Sequence, residues 1–342
     1  MKSSWTNLLV LRFSSIGDII QTTSVLNTLR KYYPDISIDY MTLSKYAPLL
    51  FDHSSIDKLH SVDSNNSFKS IKAIINQRNF DLILDLHNST RSKFIRAITN
   101  QIQSLNVVKP RAKRFSLFLN HHNKYPSNFN QKTWLHKPIE KLLPDKYKNT
   151  KISLSISEEE KTTSKILLNN NGLDNNNYFV VIPGAAWHQK QWGVDKYIEL
   201  AKRLDKIYKC NILFTGAKKE IDKIRHKIRS EIPQCILYDN SVRKTICIIN
   251  ESNLFIGGDT SFSHIAPALN IPTIVIQGPL WQPYMGVHWD NDLHINQKNF
   301  FIFHKNVPCR DLLNTACGSC SDQICFDFSL DEVLKQVLKM LN

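Results

Sequence analysis

Asp259, Thr260, Ser261 and His264 stand directly behind a glycine pair, Gly257-Gly258, between the apolar run Leu254–Ile256 and a helical pattern that ends at Leu269. Two glycines let the backbone turn sharply without a Cβ clash, and Asp, Thr and Ser accept hydrogen bonds from the free N–H groups of a helix start. Such a start points unpaired N–H groups and the positive end of the helix dipole at an anion, a phosphate above all. With the β-branched run Thr273–Ile276 behind it, the stretch is one βαβ unit that either holds an anion or is an ordinary turn with capping residues. Ser14-Ser15-Ile16-Gly17-Asp18 repeats the arrangement after the apolar run Leu8–Phe13. Its carboxylate lies at a helix start near the C-terminal edge of a sheet, where it either caps the helix or faces a ligand. Pro183-Gly184-Ala185-Ala186-Trp187, with Lys190 close behind, follows a third apolar run, Tyr178–Ile182.

Other clusters are less definite. Lys109, Arg111, Lys113, Arg114 and Lys124 surround Phe115, Leu117, Phe118 and Leu119, which suits either an anionic amphiphile or a basic loop ahead of a core helix. Cys309, Cys317, Cys320 and Cys325 contain one C-x-x-C; they are either a four-thiolate zinc site lacking the usual second close pair, or loop thiols. Asp290-Asn291-Asp292 is a literal D-x-D in a polar stretch beyond the sheet signals, and no metal is expected there.

The elements that must position these residues follow from hydrophobic periodicity. In the first half, strands are predicted at Leu8–Phe13, Ile36–Met41, Lys58–Val62, Phe80–Leu86, Ser104–Val108 and Ile152–Ile156, with helices between them. The second half opens on Ser157 and Glu160 in capping-box spacing and continues with strands at Tyr178–Ile182, Asn211–Thr215, Cys235–Tyr238, Leu254–Ile256 and Thr273–Ile276. Sustained βα alternation means parallel sheets with helices on both faces. The length of 342 residues allows two such domains. The expected division is 1–156, 157–325, and a final helix in 326–342 that packs back toward the first domain.

The formal net charge of +14 is uneven: residues 1–150 hold 22 basic and 10 acidic side chains, and the remainder is almost balanced. The first half therefore attracts anions. The first apolar run is broken by Arg12 and again by Asp18, so neither a signal peptide nor a membrane span is expected and the cytoplasm is the expected compartment. Seven cysteines, an odd number in a chain this long, do not form a disulfide scaffold.

Taken jointly, LRFSSIGDII, FDLILDLHNSTRS, IPGAAWHQKQW and IGGDTSFSHIAPAL resemble, in that order, four motifs of the heptosyltransferase family, glycosyltransferase family 9. The resemblance covers nearly the whole chain. It implies a GT-B architecture, two Rossmann-like domains with parallel sheets facing across a cleft, and inverting, metal-independent transfer of a heptose or similar sugar from ADP-heptose to the phosphorylated lipopolysaccharide inner core. Asp18 then matches the general base, Lys190 the lysine facing the donor diphosphate, and Glu220 the acceptor of ribose hydrogen bonds. Asp259 matches the sugar contact, with Thr260, Ser261, His264 and Gly184 around the phosphates. The basic first half would receive the acceptor, with Arg111, Lys113, Arg114 and His136 as the candidates, at the inner face of the inner membrane. No cofactor and no nucleic acid are implied. The chain departs from the family in having Ser261 where the signature carries glycine, and Ala185 and Ala186 where some members carry hydroxyls.

Two other classes compete. A nucleotide-dependent oxidoreductase would also use Rossmann-like domains, but no G-x-G-x-x-G follows the first strand. A basic, non-catalytic protein that binds a membrane or another anion would use the same charged half; the joint presence of Asp18, Lys190, Glu220 and Asp259 favours an enzyme.

Overall fold

The computed structural model describes residues 5–65, 68–113, 116, 129, 131–173, 177–185, 188–278, 299–303 and 324–341. Arg114, Ala186, Trp187, the D-x-D run, Cys309, Cys317 and Cys320 lie outside them. The chain divides into two compact units at Ile156–Ser157, with Ala112, Lys113 and Ser116 grouped with the second.

The first unit is built on five parallel strands: β1 Asn7–Leu11, β2 Ser37–Leu43, β3 Lys58–Val62, β4 Leu82–Asp85 and β5 Gln103–Asn106. Their order is β3-β2-β1-β4-β5. Leu8 to Leu11 and Leu82 to Asp85 are buried throughout, as central strands covered on both faces must be. Helices α1 Ile16–Tyr32, α2 Phe68–Asn76, α3 Thr90–Ile98 and α4 Gln131–His136 accompany the sheet. Leu9, Leu11, Ile71, Ile75, Ile83 and Ile95 form one core cluster of strand and helix residues.

Six parallel strands form the second sheet: β6 Tyr178–Ile182, β7 Asn211–Thr215, β8 Ile236–Tyr238, β9 Leu254–Gly258, β10 Thr273–Ile276 and β11 Phe300–Phe303, in the order β11-β10-β9-β6-β7-β8. The helices are α5 Glu158–Asn169, α6 Val194–Tyr208, α7 Lys218–Glu231, α8 Val242–Asn250, α9 Phe262–Ala268 and α10 Leu330–Leu341. At the start of α5 the Ser157 hydroxyl accepts from the Glu160 amide and the Glu160 carboxylate accepts from the Ser157 amide, as the sequence spacing requires. Glu160 also takes two charge-assisted bonds from the buried Arg243 of α8, which ties the two helices together.

Two readings change. Ile152–Ile156 is not a strand. Its apolar alternation buries Ile152 and Leu154, but the polar groups of this stretch and the residues before it are satisfied by α1 side chains: Thr23 Oγ1 accepts from the Ser153 amide, Thr28 Oγ1 accepts from the Thr150 amide, and Asn27 Nδ2 donates to Lys151 O. Strand β11 was not anticipated, because Phe300–Phe303 follows a polar stretch with no turn signal ahead of it. Helix α10 packs on its own unit, where Val333 and Val337 enter the core beside Leu200, Leu204 and Phe326.

The extended segment also packs on a neutral histidine. His53 Nδ1 accepts from the Ser55 amide and Nε2 meets Ser153 Oγ at 3.2 Å. Burial lowers its pKa to about 4. An unfolded histidine takes up a proton near pH 6.5, so between these values the unfolded state binds more protons. Stability is therefore full above about pH 6.5 and falls as the pH drops toward 4. Denaturant titrations across this range are expected to show a loss on the order of 2–3 kcal/mol from this group, and His53→Gln is expected to flatten the slope.

Candidate functional site

Each sheet reverses its strand order once, and the side chains with chemistry gather at those two reversals. In the first unit, connections from β1 lead to β2 and β3 on one side, while β4 and β5 lie on the other. The loops after β1 and β4 therefore diverge and leave a crevice at the C-terminal edge, the usual ligand position in an open α/β sheet. In the second unit the reversal falls between β6 and β9.

At the first reversal Asp18 occupies the opening turn of α1. The Ser15 amide and hydroxyl donate to Asp18 Oδ2 at 3.2 and 2.9 Å, and Arg12 Nη2 lies 2.8 Å from the same oxygen. The carboxylate is 37% exposed, so it caps its helix and still faces solvent. Arg12 also donates to Leu86 O, just past β4. His87 follows, its Nδ1 accepting from the Phe13 amide; burial, Arg12 and Lys109 lower its pKa to about 4, so its ring is neutral near pH 7. Asp85, fully buried at the end of β4, shapes this turn by accepting from the His87 and Asn88 amides and pairing with Arg96. Lys109, past β5, is half-buried; burial and the nearby charges of Arg12 and Arg111 push its pKa down. Cations held this close to one another favour an anion between them.

At the second reversal Lys190 Nζ lies 2.8 Å from Asp259 Oδ2, and both side chains are mostly buried. Asp259 does not cap the helix that follows. Instead the Phe262 amide donates to Thr260 Oγ1 and the Ser263 hydroxyl to Thr260 O, while Ser261 takes helical dihedrals at the N-cap with no side-chain bond. His264 is buried in the first turn. The β6 loop approaches β9 closely: a Cβ added to Gly258 would lie 3.5 Å from Lys190 O and 3.9 Å from Gly184 O. Glu220, in the first turn of α7, presses on the same loop, since a Cβ on Gly184 would meet Glu220 Oε2 at 2.6 Å. Burial raises the Glu220 pKa above the ordinary glutamate value, the Ala217 amide and Lys223 opposing it. A lysine, two carboxylates and backbone kept bare by glycine thus converge where the strand order turns.

The model for "Glycosyltransferase family 9 (heptosyltransferase)" matches residues 68–300. The chain belongs to this family. The lipopolysaccharide heptosyltransferase 3 of Escherichia coli is 23% identical over 330 residues, 86% of this chain and 89% of that protein. The lipopolysaccharide heptosyltransferase 1 of Campylobacter coli is 28% identical over 96 residues, which span 28% of that protein. The structure of E. coli heptosyltransferase WaaC with ADP has a TM-score of 0.67 at 17% identity, covering 98% of this chain and all of that one. The family 9 glycosyltransferase therefore has the GT-B fold.

The match takes in Lys190, Glu220 and Asp259 and begins after Asp18. Of the acceptor candidates, Arg111 is exposed and donates to Asn88 O beside the first reversal, and Lys113 is half-buried in the stretch grouped with the second unit. His136 corrects the sequence reading. It is fully buried, with Nε2 against Thr28 Oγ1 and Nδ1 against Lys132 O. Its signal, a histidine directly behind Trp134 and Leu135, is that of a core histidine. Arg12 and His87 were not named as site residues, and Lys109 only as part of the basic cluster; sequence order puts Ser14 and Asp18 beside Arg12, but not Leu86.

The Lys190–Asp259 pair is testable by itself. Lys190→Met leaves a buried carboxylate uncompensated, whereas Lys190→Met with Asp259→Asn removes both charges. A double-mutant cycle in denaturant is expected to give a coupling of about 1–3 kcal/mol, the single lysine variant being less stable than the double one.

Proposed function

We propose that this glycosyltransferase moves a heptose, or a closely similar sugar, from ADP-heptose to the lipopolysaccharide inner core with inversion. The observation that carries the reading is the convergence of Lys190, Asp259, Glu220 and the Gly184 loop at the strand reversal of the second sheet. That set suits a nucleoside diphosphate sugar. The ammonium of Lys190 offsets charge on the departing diphosphate, the carboxylate of Glu220 accepts hydrogen bonds from a ribose diol, and Asp259, held by Lys190, faces the sugar. The amides of the Gly184 loop approach phosphate because glycine leaves them uncovered. Helix α9, only seven residues long, adds the Ser261 amide, the Thr260 amide being bound to Gly258 O, and His264 lies in its first turn. Ser261 replaces the usual glycine and narrows that approach, but the lysine remains. That WaaC was solved with ADP, and that the E. coli relative is a lipopolysaccharide heptosyltransferase, support the donor and acceptor classes.

Asp18 is the base. In an inverting transfer the acceptor hydroxyl loses its proton as its oxygen bonds to the anomeric carbon, while the bond from that carbon to the diphosphate oxygen breaks and the electron pair leaves with the diphosphate. Asp18 takes the proton, and Lys190 meets the charge that departs. Arg111 and Lys109 supply positive charge beside Asp18 for the acceptor phosphates, with Lys113 and Arg114 extending the basic run. Among the described residues no helix is long and apolar enough to cross a membrane; the proposed location is peripheral, at the inner face of the inner membrane, where the basic half meets phosphorylated lipid.

Mass spectrometry of products from the purified protein, given a panel of nucleotide sugars and truncated core lipids, is expected to show a heptosyl adduct with ADP-heptose; an adduct with a different sugar alone would replace the donor. Asp18→Asn retains size and capping ability but takes up no proton at neutral pH. It is expected to lower kcat by roughly 10²–10⁴ with little change in donor binding. Lys190→Ala is expected to raise donor KM as well, because the diphosphate is present before and during bond cleavage.

A further inference from the structure

Arg12 is 5% exposed, yet it directly follows β1 and spends its guanidinium on three partners. Nε donates to Ser14 O at 2.7 Å, Nη1 to Leu86 O at 2.6 Å, and Nη2 pairs with Asp18 Oδ2 at 2.8 Å. These contacts join the loop after β1, the loop after β4 and the first turn of α1.

We propose that Arg12 is the positioning residue of the transfer reaction: it fixes the Asp18 carboxylate through Oδ2 and locks the two loops of the first crevice into one frame around it. The proposal rests on the reading of Asp18 as the base. A carboxylate in the opening turn of a helix, more than a third exposed, samples several rotamers unless something holds it. Ser15 holds it from below through two short bonds. Arg12 connects it to the loop after β4. The planar fork matters, because its donors leave in fixed, diverging directions that a lysine cannot reproduce with one ammonium. An ion pair also favours the ionised carboxylate, the form that accepts a proton.

The groups that act on Asp18 come from several elements. Arg12 and Ser15 belong to its own loop, Tyr40 lies on β2, His87 follows β4 and Lys109 follows β5. Arg12 touches the carboxylate directly. His87 is neutral near pH 7 and its Nδ1 is occupied by the Phe13 amide, so its charge is not part of the frame.

The test uses Arg12→Gln, Arg12→Lys and Asp18→Asn in the full chain. Two readouts are taken: kcat and kcat/KM against pH with ADP-heptose and a heptose-free core lipid, and a carbon-13 titration of the Asp18 carboxyl, which needs no turnover. Arg12→Gln removes the charge. It is expected to move both the acid limb of kcat/KM and the carboxyl titration up by about one pH unit, and to lower kcat about ten- to a hundred-fold with donor KM unchanged. Arg12→Lys retains the charge and loses the fork, so the carboxyl titration is expected to stay in place while kcat falls by about tenfold. An Arg12→Gln protein whose carboxyl titration and pH profile superpose on the parent's overturns the proposal, and so does full kcat in Arg12→Lys. If Arg12→Gln does not fold, the Arg12→Lys result decides alone. Asp18→Asn separates the two ideas: an inactive Asp18→Asn with an unaffected Arg12→Lys refutes the positioning role only, whereas a fully active Asp18→Asn refutes the base itself.

Discussion

A parallel sheet must return each strand to the same edge by a crossover, and where the crossovers change direction two neighbouring loops part. Nothing packs into that gap from the sheet itself. Both units of this chain have one such gap, at β1/β4 and at β6/β9, and the candidate site residues gather there. The strand ends fix the loop stems to within a residue: Leu11 pairs with Asp85 and Ile182 with Gly257. Arg12 and Leu86, or Lys190 and Asp259, can then meet although 74 and 69 positions separate them in sequence.

Charge is the material used to span those gaps, and burial makes it costly to leave unmatched. Arg12, Asp85 and Asp259 are each less than a tenth exposed. Each is paired: Arg12 with Asp18, Asp85 with Arg96, Asp259 with Lys190. Such pairs add little net stability over apolar contacts of equal size, since both ions lose water. They do penalise every arrangement in which one partner is displaced, and that is what a site needs from its frame.

Much of the fold was legible. Strands β3, β6, β7 and β10 fall on their predicted residues, because each is a short apolar or alternating run bounded by turn residues or polar loops. The capping box at Ser157 was readable from two residues. Lys190, Asp259, Glu220 and Gly184 were named from motif likeness, and the structure brings them to one edge. What the sequence concealed is of one kind: contacts whose partner lies far along the chain. The 150–156 segment alternates like a strand, yet its hydrogen-bond partners are Thr23, Asn27 and Thr28 of a helix more than 120 residues earlier. His136 looked available until Thr28 and Lys132 O took both ring nitrogens. Arg12 read as an interruption of an apolar run; its bond to Leu86 O becomes visible only when β4 lies beside β1.

The close fit of Gly184 against Glu220 has a consequence for how such chains diverge. With only 2.6 Å between a virtual Cβ and Oε2, the two positions share one volume. A side chain gained at 184 has to be matched by a shorter or rotated one at 220. Position 184 in the loop after β6 and position 220 in the first turn of α7, 36 positions apart, are therefore coupled whenever either changes.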